Sequence, residues 1–130
     1  MAYDHENIFA KILRNEAPAA RVFEDELSLA FMDVMPQVQG HTLVIPKAPA
    51  ENIHEIDPEI LGHTIQTTQT VAAAVKSAFD APGIMIAQLN GASAGQTVFH
   101  CHVHLIPRRK GDIENPRGGV RGIIPENKDY

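Results

Sequence analysis

The sequence has little of several features that define common classes of protein. It contains one cysteine, no tryptophan and only 5% aromatic residues. A single cysteine cannot form an internal disulfide, so we expect a reducing, cytoplasmic location for this chain. The sequence also lacks the apolar run of roughly 18 residues that a membrane span needs, and it has no basic-then-apolar leader. We therefore predict neither contact with a membrane nor a signal peptide.

Positive charge is scarce, with 11 Lys and Arg against 16 Asp and Glu and a net charge of −5. This balance excludes a broad basic surface for nucleic acid, so any phosphate must be bound locally by fixed dipoles. Hydrophobic residues make up 44% of the 130 residues, which is enough to build one core without disulfides. We predict a single domain over residues 1–130.

Three histidines stand at every second position in the stretch Gln96–Pro107, namely His100, His102 and His104. Strict alternation is typical of a strand, because successive side chains point to opposite faces. We therefore predict a strand over this stretch. One face would carry the histidines about 6.6 Å apart, from a rise of about 3.3 Å per residue. The other face would carry Cys101, with Val103 and Leu105, into the core.

Three interpretations of these histidines are open from the alternation alone. They could form a polar strand face, ligate a metal, or act as nucleophile and proton donors on an anionic substrate. The preceding loop, residues 90–97, contains glycines and neutral donors but no carboxylate or thiolate. Glycines let a backbone approach a ligand closely and present its N–H groups. This composition favours a phosphate over a metal ion.

The spacing resembles the signature of the histidine triad (HIT) nucleotide-binding family, in which a Gly-Gln pair precedes His-φ-His-φ-His-φ-φ and φ is apolar. Here Gly95-Gln96 precedes residues 100–106. Two further segments are similar to family hallmarks: residues 41–47, reading HTLVIPK, and residues 7–12, reading NIFAKI. Together the segments extend from about Ile8 to Arg108.

This resemblance implies an α+β fold, with a five-stranded antiparallel sheet, one long helix and one short helix, usually paired as a homodimer. It implies a hydrolase acting on the α-phosphate of purine nucleoside monophosphate derivatives. Asn90 and Thr97 resemble the Hint-like branch, which cleaves phosphoramidates. Two alternatives are a dinucleoside polyphosphate hydrolase of the same family and a non-catalytic nucleotide-binding regulatory module. A metal-dependent hydrolase is a further alternative to this function.

The resemblance also implies residue roles. His102 would attack phosphorus, and His104 would contact the phosphate and leaving group. His100 and His41 would orient the cluster. The remaining predicted nucleotide-binding residues comprise an apolar base pocket, a ribose acceptor and phosphate donors: Ile8, Phe9, Ile12, Phe31, Asp33, Asn90, Gly95, Gln96 and Thr97. Some bacterial members bind zinc through N-terminal cysteines, but Asn7 and Ala10 stand at those positions, so we predict no metal and no cofactor.

Other segments follow from local signals. Residues 1–6 are polar and are predicted to be loose. Strands are predicted at 21–24, 28–32, 41–46 and 83–89. Asp57-Pro58 predicts a helix start, followed by an apolar stripe at steps of three and four. That stripe comprises Leu61, Ile65, Thr68, Ala72, Val75 and Phe79. The tail, residues 117–130, would either cover a neighbouring subunit or shape substrate access.

Overall fold

The computed structural model describes residues 2–112, in which five strands form one antiparallel sheet. The elements follow in the order α1 (Ile8–Leu13), β1 (Arg21–Glu24), β2 (Ser28–Met32), β3 (Thr42–Pro46), α2 (Pro58–Ala78), β4 (Gly83–Gln88) and β5 (Val103–Arg108), with a 3-10 turn at Ala92–Ala94. The predicted fold class is confirmed. The predicted tail lies outside the described residues.

The sheet order is β1-β2-β3-β5-β4, so the last strand in sequence lies between β3 and β4. The connection from β3 through α2 to β4 leaves a gap that β5 fills by pairing antiparallel with both neighbours. Residues leading into β5 therefore reach the middle of the sheet. This placement brings the histidine segment close to β3 and to the residues that follow β2.

The two faces of the sheet carry different apolar clusters. On one face, α1 packs Phe9 and Ile12 against side chains of β2 and β3: Leu29, Phe31, Leu43 and Ile45. On the other face, α2 packs Val71, Ala72 and Val75 against Ala30, Val44, Val103 and Leu105. Alternation along each strand produces this division, because neighbouring residues project to opposite sides. The short helix thus lies on the histidine side of the sheet.

Helix α2 begins as predicted, because the Asp57 carboxylate accepts from the Glu59 N–H at 2.8 Å and Pro58 occupies the first turn. The predicted stripe is partly wrong: Ile65 is 49% exposed, whereas Thr64 and Thr67 are buried. Buried threonines are tolerated because their hydroxyls find partners. Thr64 donates to the Ile60 carbonyl at 2.8 Å, and Thr67 bonds Ser28 of β2 at 2.9 Å.

The predicted strand over Gln96–Pro107 is also corrected, since β5 begins only at Val103. His100 and His102 lie before the strand, where the Cys101 N–H donates instead to the Ala50 carbonyl at 2.8 Å. An extended backbone alternates its side chains whether or not a neighbouring strand pairs with it. The predicted core face therefore holds: Cys101 packs with Ala50 and Ile56, and Val103 belongs to the α2 cluster.

Within residues 2–112, no helix is both long enough and apolar enough to cross a membrane.

Candidate active site

His100 is fixed at both ring nitrogens and is fully buried. Its Nε2 lies 2.8 Å from the carbonyl oxygen of Pro46, the last residue of β3. A carbonyl oxygen can only accept, so Nε2 carries the proton and Nδ1 carries a lone pair. The Tyr3 hydroxyl lies 2.5 Å from that Nδ1 and must donate to it. His100 is therefore held in one neutral tautomer.

Tyr3 is a residue of the site that the sequence did not reveal. The prediction that residues 1–6 are loose is wrong for this side chain, which is partly buried and also packs edge-on against the His5 ring at 4.9 Å. No motif marks Tyr3, and only a tertiary contact across 97 positions of sequence defines its role.

His102 lies beside the backbone of His100, with its Nδ1 2.7 Å from the His100 carbonyl oxygen. By the same argument, Nδ1 is protonated and Nε2 carries the lone pair. The ring packs edge-on against Phe9, with centroids 4.9 Å apart, and against His104 at 4.9 Å. The backbone thus selects the tautomer in which Nε2 of His102 can act as a nucleophile.

His41 and His104 form a second polar chain. The Gln37 N–H donates to His41 Nδ1 at 3.1 Å, so His41 carries its proton on Nε2. That proton is directed at His104 Nδ1, 3.0 Å from His41 Nε2, and the Asp33 carboxylate lies 3.4 Å from His41 Nε2. His104 therefore accepts at Nδ1 and keeps its proton on Nε2, which makes it a hydrogen-bond donor to a ligand.

A close backbone contact positions His41. Gly40 has a φ of +93°, and a Cβ at this position would lie 2.9 Å from the Phe79 ring and 3.0 Å from Pro107. Only glycine combines this backbone angle with this lack of space. The end of α2 and the strand β5 therefore determine where the chain enters β3 and where the His41 ring lies.

All four histidines are electrically neutral near pH 7. Burial lowers the pKa of His100 to about 4 and, with the nearby His102 and His41 rings, lowers the pKa of His104 to about 4. Burial also lowers the pKa values of His41 and His102 below their ordinary value of 6.5. Neutral rings agree with the tautomers that the hydrogen bonds require, and a neutral His102 is the form that can attack.

The predicted base-pocket residues are placed together around α1. Phe9 stacks edge-on with Phe31, with centroids 5.4 Å apart, and forms an apolar wall beside His102. Ile12 and Phe31 are buried in the core beneath this wall, whereas Ile8 is 47% exposed. Phe9 is itself 7% exposed and shares the core cluster of Ile12 and Phe31, so Ile8 alone of these four side chains is largely exposed.

Asp33 directly follows β2 and lies at the same site. One carboxylate oxygen accepts from the Met35 N–H at 2.9 Å, and the other lies beside His41. The Asp33 N–H donates to the His41 carbonyl at 3.0 Å, which joins the ends of β2 and β3. The carboxylate is about one-fifth exposed, at 18%, so a ligand hydroxyl can reach it.

The amide of Gln96 holds the glycine loop together and is not free to donate to a phosphate. Its oxygen accepts from the Gly91 N–H at 2.7 Å, and its nitrogen donates to the carbonyls of Glu51 and Val98. Both amide hydrogens are therefore used, which argues against the predicted contact between this amide and phosphate.

Two other predicted phosphate donors are also engaged in the loop. The Gly95 N–H donates to the Ala92 carbonyl at 3.0 Å, and Gly95 has a φ of +96°. Asn90 accepts from the Ile53 N–H and donates one amide hydrogen to Gln88. Thr97 is exposed. Sequence reasoning identified the loop, but it could not show which donors the loop uses to hold its own shape.

We expect Gln96→Ala to destabilise the protein by about 2 to 4 kcal/mol, because it leaves three backbone groups without partners at a buried position. Urea denaturation followed by circular dichroism measures this change. Ser93→Ala, an exposed position in the same loop, is the matched control and should change stability by less than about 0.5 kcal/mol. Equal stability of both variants would show that the Gln96 amide does not hold the loop.

Asp33, His41 and His104 place one potential ligand atom each within 4.8 Å of one another, so we tested whether they fit a metal ion. A metal on His41 Nε2 would need that nitrogen's lone pair and a proton on Nδ1. The Gln37 N–H already points at Nδ1, so two donors would face each other. At the N-terminus, the Asn7 side chain caps α1 by accepting from the Ala10 N–H. Neither the cluster of Asp33, His41 and His104 nor the start of α1 around Asn7 therefore offers ligands that fit a metal ion.

Comparison with known proteins agrees with this geometry. The chain matches the HIT domain over residues 14–111. It is 43% identical over 106 residues to "Protein hit" of Bacillus subtilis, covering 81% of this chain and 73% of that protein. It is 33% identical over 105 residues to "Adenylylsulfatase HINT3" of Arabidopsis thaliana, covering 81% of this chain and 53% of that protein. A crystal structure of a Hit-like protein from Bartonella henselae is 54% identical, with a TM-score of 0.83 and 85% of each chain covered.

Proposed function

Because this chain belongs to the histidine triad family, we propose that it is a metal-independent nucleotide hydrolase that transfers a purine nucleotidyl group to water through His102. The observation that carries the proposal is the bond from His102 Nδ1–H to the His100 carbonyl, which leaves the Nε2 lone pair available. The similarity to an adenylylsulfatase supports a reaction at the α-phosphate.

In the first step, His102 Nε2 forms a bond to the α-phosphorus and the bond to the leaving group breaks. The leaving atom takes the electron pair and a proton. That proton comes from water, while neutral His104 donates a hydrogen bond from its Nε2–H to the departing atom. His102 becomes a nucleotidyl-imidazolium, whose Nδ1–H keeps its bond to the His100 carbonyl and spreads the positive charge.

In the second step, water attacks the same phosphorus and the bond from phosphorus to Nε2 breaks. The electron pair returns to His102 Nε2, the proton of the attacking water passes to the solvent, and a nucleoside monophosphate leaves. Two displacements with a covalent intermediate replace one difficult displacement. The relay from Gln37 through His41 holds His104 Nδ1 as an acceptor, so its Nε2 faces the reaction in both steps.

The nucleoside would lie against α1. Phe9 and Ile8 would contact the purine, with Phe31 and Ile12 behind them, and Asp33 would accept from the ribose hydroxyls. Thr97, which is exposed, is the loop residue that we propose contacts the phosphate oxygens, with the remaining amide hydrogen of Asn90. Gly95 and Gln96 would keep the loop in shape.

The leaving group that we propose is an amine, as in a purine nucleoside phosphoramidate. The second candidate is sulfate, which the similarity to HINT3 favours. The test compares AMP release from adenosine phosphoramidate, adenylyl sulfate and diadenosine tetraphosphate, with and without a chelator. An alkaline quench should trap a phosphorus adduct that peptide mapping assigns to His102.

Three outcomes would contradict parts of this proposal. Preference for the diadenosine substrate would indicate a dinucleoside polyphosphate hydrolase. Tight AMP binding without turnover of any substrate would indicate a regulatory nucleotide-binding module. Loss of activity with a chelator, restored by stoichiometric metal, would indicate a metal-dependent hydrolase.

We further propose a homodimer in the cytoplasm. In the described sheet, β1 and β4 are edge strands, and β4 carries the half-exposed Ile86, so an edge remains available for pairing. Light scattering should give twice the chain mass.

Burial raises the pKa of the Cys101 thiol to about 11, which keeps it inert as the cytoplasmic assignment expects. The absence of nucleic-acid binding stays a prediction.

A further inference from the structure

A polar chain connects the N-terminal segment to the nucleophile. The Tyr3 hydroxyl donates to His100 Nδ1, His100 Nε2–H donates to the Pro46 carbonyl, and the His100 carbonyl accepts from His102 Nδ1–H. The first two bonds fix the His100 ring at opposite ends. The third bond begins at the backbone of that same residue and ends on the attacking imidazole.

Removing the Tyr3 hydroxyl would leave a lone pair without a partner inside a fully buried ring. The Pro46 carbonyl can only accept, so it would still hold the proton on Nε2, and His100 would respond by tilting its ring. A tilt of the ring shifts the residue whose carbonyl accepts from His102 Nδ1–H. Small displacements of a positioned nucleophile have large effects on rate, because reaction needs a near-attack geometry.

We propose that Tyr3 is a positioning residue for this active site, acting through His100 to keep the lone pair of His102 directed at the substrate. This inference rests on the proposed function for its kinetic consequence. Its structural part concerns only the hydrogen bond at His100 Nδ1 and the ring position that this bond fixes. Tyr3 thereby contacts the segment that leads into β5, far from it in sequence.

The experiment is Tyr3→Phe in the full chain, which keeps the aromatic ring and removes only the donor. Nitrogen-15 NMR of the imidazoles reports the tautomer of each histidine without any substrate. In the wild type we expect His100 protonated at Nε2 and His102 protonated at Nδ1. In Tyr3→Phe, we expect the His100 tautomer to stay the same and its Nδ1 resonance to move to that of a nitrogen that accepts no hydrogen bond. We expect kcat for AMP release to fall about tenfold with KM changed less than twofold.

The matched control is His5→Ala, which removes the other ring that packs on Tyr3 but leaves the hydroxyl in place. We expect wild-type tautomers and kcat from this variant. An unchanged His100 Nδ1 resonance in Tyr3→Phe would overturn the proposal, and so would a kcat per folded molecule equal to that of the wild type. If the wild type turns over no adenylylated substrate, the proposed function fails, while the NMR comparison still decides the role of Tyr3.

Discussion

His102→Ala should release AMP from its best substrate at least about 1,000-fold more slowly than the wild type, because the substitution removes the only atom proposed to bond to phosphorus. AMP affinity should change by less than about tenfold, since the contacts proposed for Phe9 and Asp33 with the nucleoside do not involve His102. Steady-state kinetics gives the first quantity, and calorimetric titration with AMP gives the second.

His54→Ala is the matched control for this experiment, because His54 is exposed and lies in the turn before α2, away from the cluster. It should retain wild-type turnover and AMP affinity. Full activity in His102→Ala would exclude this residue as the nucleophile. An adduct trapped on His104 would have the same consequence.

Acid should destabilise this protein by an amount comparable to its whole stability. The folded state holds His100 and His104 neutral with pKa values of about 4, whereas both protonate near 6.5 when the chain unfolds. The unfolded state therefore binds more protons between these values, so stability is complete above pH 6.5 and falls as pH decreases toward 4. Each group contributes about 1.4 kcal/mol per pH unit, or about 6 kcal/mol together over the window.

Urea denaturation at half-unit steps from pH 8 to pH 4 measures this dependence. A small domain has a stability of roughly 5 to 15 kcal/mol, so we expect unfolding without denaturant to begin near pH 4 to 5. His104→Gln should lower the slope by about one proton. Between pH 7 and 8 these groups should contribute no change, and a flat profile down to pH 4.5 would contradict the assignment of buried neutral rings.

Local signals in the sequence predicted the elements of the fold well. Strands β1 and β2 have the predicted limits. Helix α2 begins at Pro58 as predicted, because a helix start that is made by an acid cap and a proline depends only on adjacent residues. The buried face of α2 was predicted less well. Thr64 and Thr67 look polar in the sequence, but their hydroxyls bond to Ile60 and Ser28, so their burial leaves no donor unsatisfied.

The candidate site was predictable as a set of residues but not as a network. Alternation placed the histidines on one side, yet it could not show that His100 and His102 precede the strand. It also could not show that Gln96 closes its own loop or that Tyr3 reaches His100. These features depend on contacts between residues distant in sequence, and neither spacing nor composition encodes them. The proposed roles of the individual residues stay predictions.

The segment between Asp33 and His41 offers a practical route to new selectivity. Val34 and Met35 are 77% and 83% exposed, so a combinatorial library could randomise both without disturbing the core. Position 37 supplies only its backbone N–H to His41, so every residue except proline preserves that bond. Position 40 must stay glycine, since any side chain would collide with Phe79. Sequence diversity can thus be concentrated beside the histidine cluster while the residues that position His41 stay constant.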